Sequence, residues 1–171
     1  VAIYSQTFFQ GETWLRKGII YSLYSLLTVG LMGMVLTGDV FNLYVFLEIS
    51  SLSAYALIAA GGQKATVAAF RYLLLGTIGA SFYLLSIGYL YAVTGTLNMA
   101  DLVQRVQPLI DSPAVMTAVV LLIVGMGIKM ALFPMHGWLP DAYSYAPPPI
   151  SSFISGVMTK VSAYVVLRFF F

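Results

Sequence analysis

Cysteine is absent from the 171-residue chain, which excludes disulfides and thiolate metal sites. Charge is scarce as well: 8% of residues are Asp, Glu, Lys or Arg, while 60% are hydrophobic and the mean hydropathy is +0.92. Soluble domains carry roughly 25% charged residues, so a soluble domain of this size would have nothing to cover its surface with. One histidine, His136, stands without a second His or Cys, so neither a metal site nor a cofactor is expected. No nucleophile–base constellation is visible, which reads as a transporter subunit rather than an enzyme. GMGIKM sets a lysine near glycines but lacks the Walker spacing and its Lys-Ser/Thr pair. A net charge of +2 gives no reason to expect nucleic acid as a partner. No signal peptide is recognisable at VAIYSQ, and with RFFF at the other end the chain is expected to be a piece of a longer polytopic protein, one transmembrane domain over 1–171.

What the chain does have is long apolar runs. They are continuous rather than alternating over about 10 residues, which predicts an all-α membrane protein. Five segments approach the ~20 residues that a bilayer requires: about 18–37, 40–61, 67–93, 113–145 and 150–171. Residues 94–113 and the Pro-rich 134–149 are the longer connections. Arg16, Lys17, Lys64 and Arg71 fall on one side, and Asp39, Asp101, Arg105 and Asp111 on the other. The positive-inside rule then places the residue 1–17 side in the cytoplasm, at the inner (plasma) membrane, with Arg168 against the bias.

Three charges sit within the apolar runs. Glu48, in FLEISSLSAY, lies ten residues beyond Gly38, about 15 Å into its helix at 1.5 Å per residue and near the midplane of a ~30 Å core. Lys160 lies ten residues beyond Ile150, at a similar depth, and Lys129 sits in GMGIKMALFPMHGW. Each costs at least ~2.5–3.5 kcal/mol at the centre of an inserted helix, too much for three accidents. A Glu–Lys contact that can be made and broken changes proton affinity. A water-joined chain of such groups is a proton relay. The bland reading is static glue between helices, for which Gly76, Gly79, Ala80 and Ser81 would suit close packing.

Gly125 and Gly127 precede Lys129, and Pro134 and Pro140 follow it. Discontinuous membrane helices occur where backbone lines a watery cavity, so a break of the fourth helix is expected just after Lys129, near Phe133 to Met135, at Pro134. The alternative is that Pro134 ends the helix at the membrane surface. Residues 136–142 then form a short second half-helix or an interfacial turn, with Trp138 suited to a headgroup-level anchor. His136 has the chemistry of a proton shuttle, although a lone histidine is more often structural. Asp39 and Asp141 join it as candidates for relay or gating. Asp39, Asn42 and Ser50 offer oxygens to a cation, with no further support.

The stretches GDVFNLYVFLEISSLSAYALIA (38–59) and GIKMALFPMHGWLPDAYSYAPPPISSFISGVMTKVSAYVVLRF (127–169) resemble the antiporter-like membrane subunits of respiratory complex I, Mrp cation/proton antiporters and membrane-bound hydrogenases. GTLNMADLVQRV (95–106) resembles the family's connection between its sixth and seventh helices, and the wording around Glu48 looks closest to Mrp D subunits. The resemblance implies one five-helix antiporter-like repeat, with Glu48 paired to Lys129 on a broken helix and Lys160 continuing the relay. It implies a proton-conducting subunit of a multisubunit Na+/H+ antiporter, or alternatively the homologous pump subunit of a quinone oxidoreductase or hydrogenase. Other membrane subunits, protons, Na+ and the lipid bilayer would be its partners. A second, inverted repeat that would complete the path is not in this chain. An extra proline in AlaProProProIleSer (146–151) and Ser162, where glycine is frequent, depart from the family pattern.

Overall fold

The computed structural model describes residues 2–170. Within them the chain is helical, and the helix ends are written locally. In α1 (Ala2–Phe8) and α2 (Trp14–Leu36) the first is short and the second spans 23 residues, opened by Thr13, whose hydroxyl accepts from the Arg16 amide. Helix α3 (Val40–Ala59) is opened by Asp39, whose carboxylate accepts from the Asn42 amide at 2.7 Å. Helix α4 (Gln63–Thr94) runs 32 residues to Gly95, which takes the left-handed conformation that lets a helix close.

The 94–113 connection is not plain loop. It holds α5 (Met99–Val106), an amphipathic helix capped by Asn98 and followed by a 3-10 turn. Its eight residues are too few and too polar to register as a span. The α2–α3 and α4–α5 turns are stitched together: the Val40 amide donates to the Leu97 carbonyl and the Met99 amide to the Gly38 carbonyl, at 2.9 and 2.8 Å.

Helix α6 (Pro113–Lys129) opens on proline, where the missing amide costs nothing. It is followed by turns, then α7 (Leu139–Tyr145), then α8 (Pro148–Phe153), a π-helical turn (Ile154–Met158) and α9 (Thr159–Phe170). The extra proline of the 146–151 stretch is accommodated because Pro148 and Pro149 fill the first two positions of α8. Among the described residues four stretches are long and apolar enough to cross a membrane: Trp14–Leu36, Val40–Ala59, Gln63–Thr94 and Pro148–Phe170. Helix α6, with 17 residues, reaches about 25 Å, short of a ~30 Å hydrocarbon core.

Helices α3 and α4 are central. Helix α4 lies along α3 and α6, and α2 lies along α3. The α4–α6 contact is made by glycines: a Cβ added to Gly125 would fall 2.6 Å from the Gly79 carbonyl oxygen. Across the same contact the Ser86 hydroxyl donates to the Ala118 carbonyl at 2.6 Å, and Tyr83 donates to the Val40 carbonyl of α3 at 3.0 Å. Small residues let backbones approach in this way. Ser81 takes no part in it: it is exposed, and its hydroxyl donates back to the Thr77 carbonyl.

Candidate functional site

Lys129 is the last residue of α6, and its position follows from how that helix ends. Ala131 adopts φ 57°, and the Leu132 and Ala131 amides donate back to the Gly127 and Ile128 carbonyls. This is a Schellman closure. The helix therefore stops at Lys129, four residues ahead of Phe133, where Pro134 suggested a break. Pro134 lies in the turn that follows, after a cis Phe133–Pro134 peptide.

The Lys129 side chain is 2% exposed. Its ammonium donates to the Ser51 hydroxyl at 2.7 Å and to the Tyr55 hydroxyl at 3.3 Å, and lies 3.9 Å from Glu48 Oε1. Glu48, Ser51 and Tyr55 are spaced three and four apart, so they share one face of α3. Glu48 is 27% exposed, yet its Oε1 atom is buried and accepts no hydrogen bond. A buried ammonium needs acceptors, and here neutral hydroxyls supply the near ones.

Behind Tyr55 stands an aromatic column. Tyr72 meets Tyr55 edge-on at 4.6 Å and 89°, and Trp138 stacks on Tyr72 at 3.8 Å and 9°. Trp138 is 1% exposed and donates its indole N–H to the Ile128 carbonyl at 2.8 Å. It is thus no headgroup anchor: the Ile128 carbonyl, which already accepts the Ala131 amide in the closure, takes the indole as a second donor. The loop after α6 is in this way tied to the turn that carries Lys129.

The remaining candidates are dispersed. Lys160 is exposed on α9, its ammonium donating to the Ser155 carbonyl of the π-helical turn at 2.5 Å and to the Thr159 hydroxyl at 3.3 Å. Among the described residues it forms no hydrogen bond or ion pair with Glu48 or Lys129. Asp141, in the first turn of α7, pairs with Arg71 of α4 at 2.5 Å. Asp39 is occupied as the α3 cap, and Ser50 donates to the Leu47 carbonyl. Asn42 is exposed. His136 is half-buried and its Nδ1 is buried without a partner. Gly127 accepts the Leu132 amide, as part of the closure rather than a hinge.

A family model described as NADH:quinone oxidoreductase/Mrp antiporter, TM, matches residues 37–171. The chain is 60% identical over 166 residues to the N subunit of the NADH-quinone oxidoreductase of Desulforudis audaxviator, covering 97% of this chain and 33% of that protein. It is 38% identical over 157 residues to the D subunit of the Na(+)/H(+) antiporter of Bacillus subtilis, covering 91% and 32%. A chain of the membrane-bound sulfane sulfur reductase, an archaeal respiratory membrane complex, superposes with a TM-score of 0.79 at 43% identity, over 83% of this chain and 29% of that one. The chain spans about a third of the length of the curated relatives it matches.

Proposed function

The chain belongs to the NADH:quinone oxidoreductase/Mrp antiporter membrane family, and from that premise we propose that it forms part of a proton-translocating membrane subunit in which Lys129 is the proton carrier. The observation that carries the proposal is the buried Lys129 ammonium, held by hydroxyls 3.9 Å from Glu48 Oε1, a buried carboxylate oxygen that accepts no hydrogen bond. An opposite charge nearby favours the charged form of a lysine, so the approach of Glu48 holds the proton on Lys129 and its retreat releases it. A proton arrives from the cytoplasmic side through the irregular backbone after α6, where His136 stands with an unpartnered nitrogen. It leaves toward Lys160, in contact with the remainder of the full-length subunit.

For the parent machine, the 60% identity to an N subunit favours a redox-driven quinone oxidoreductase. The 38% identity to a D subunit supports Na+/H+ antiport as the second reading. In either machine the full-length subunit would sit among other membrane subunits of a plasma-membrane complex, with the residue 1–17 side cytoplasmic. Vesicles carrying the native complex separate the two readings. Proton flux that requires quinone reduction supports the first, and flux driven by an imposed Na+ gradient alone supports the second. Lys129→Ala with undiminished flux in an assembled complex contradicts both.

A further inference from the structure

We propose that Ser51 and Tyr55 form a hydroxyl cradle that holds Lys129 apart from Glu48, giving the lysine two docking positions on one face of α3, and that Gly76 of α4 keeps the cradle open. The functional weight of the cradle rests on the relay reading above; its geometry does not.

An ammonium–carboxylate hydrogen bond spans about 2.7–2.9 Å. At 3.9 Å Lys129 makes none with Glu48, although the carboxylate oxygen facing it is buried and lacks any other donor. The ammonium instead sits on Ser51 and Tyr55, at 2.7 and 3.3 Å. A movement of about 1 Å would exchange one set of acceptors for the other. The two sides of that exchange differ in freedom. Tyr55 is fixed by the edge-on Tyr72 ring, itself stacked on Trp138. Its hydroxyl occupies the space a side chain at Gly76 would need: a Cβ there would fall onto the Tyr55 hydroxyl and come 3.4 Å from Lys129 Nζ. Glu48 is the partly exposed partner. The cradle is therefore the rigid dock and the carboxylate the movable one. Ser51 and Tyr55 act as positioning residues: they decide how often Lys129 is free of its counter-ion.

The test is cryo-electron microscopy of the full-length subunit in its assembled complex, carrying Ser51→Ala and Tyr55→Phe together, with proton flux measured on the same preparation. With the hydroxyls gone, Lys129 Nζ closes on Glu48 to about 2.8 Å, and flux falls about tenfold, the weight of one hydrogen bond to a charged group. Ser51→Thr, which keeps a hydroxyl, holds Lys129 Nζ apart from Glu48 where Ser51→Ala does not. Gly76→Ala, which displaces the Tyr55 hydroxyl, moves Lys129 in the same direction as the double variant. A double variant in which Lys129 stays 3.9 Å from Glu48 overturns the cradle. Closure with undiminished flux supports the cradle and overturns the relay instead. Should the double variant not assemble, Ser51→Ala alone deletes the 2.7 Å bond and is judged by the same distance.

Discussion

Lys129 Nζ lies 2.7 Å from Ser51 Oγ and 3.9 Å from Glu48 Oε1. The buried ammonium is nearer to a neutral hydroxyl than to its counter-ion, so the pair stands open. That relationship, more than the presence of either charge, underlies the proposed switch.

Glu48→Gln removes the counter-ion and leaves the hydroxyls. Removing one partner of a fully buried pair costs ~3–5 kcal/mol. Here Ser51 and Tyr55 still hold the ammonium, so the cost to stability is expected to be near 1 kcal/mol, the scale of an ordinary hydrogen bond. Thermal unfolding of the assembled complex checks this: a shift of a few degrees is expected, together with a proton flux lowered at least tenfold.

Gly125→Ala places a Cβ 2.6 Å from the Gly79 carbonyl oxygen, backbone that cannot step aside. Forcing α4 and α6 apart is expected to cost ~1–3 kcal/mol. Gly88→Ala, on α4 with nothing within 4 Å of the added atom, is the control. It is expected to leave the melting temperature of the complex unchanged or slightly raised, since alanine is the better helix former.

Trp138→Phe keeps a ring on Tyr72 but loses the donor to the Ile128 carbonyl. The Ile128 carbonyl keeps the Ala131 amide, so the loss is that of one hydrogen bond, about 1 kcal/mol. Hydrogen exchange of residues 130–138 is expected to quicken while that of α4 does not, because the bond ties this loop to α6.

Arg71 and Asp141 pair at 2.5 Å across α4 and α7, with side chains 63% and 34% exposed. An exposed pair contributes at most ~1 kcal/mol and is screened by salt. Asp141→Asn is expected to loosen α7 measurably in low salt and to match wild type in high salt, as read by a spin label on α7.

Much of the fold was legible. Apolar runs located the spans, and the three intramembrane charges stood out because each is expensive in lipid. What stayed hidden was cheap or local. Ser51 and Tyr55 share the Glu48 face at intervals of three and four, but a hydroxyl that finds a partner leaves no trace in hydropathy. The interruption after Lys129 was legible from Pro134, but not its closure, which uses an alanine at φ 57° where glycine is the usual signal. Helix α5 is amphipathic and eight residues long, too short and too polar to stand out in hydropathy. Trp138 has the composition of an interface residue, and only the early end of α6 gave its indole a buried acceptor.

The most direct test replaces Lys129 with methionine in the full-length subunit within its complex, a change that keeps much of the volume and removes the charge. Proton flux is then measured in reconstituted vesicles, with assembly verified on a native gel. Loss of flux by about 10²-fold or more, the weight of a positioned proton-transfer group, is the predicted result with the complex intact. Wild-type flux from an assembled Lys129→Met complex would contradict the account.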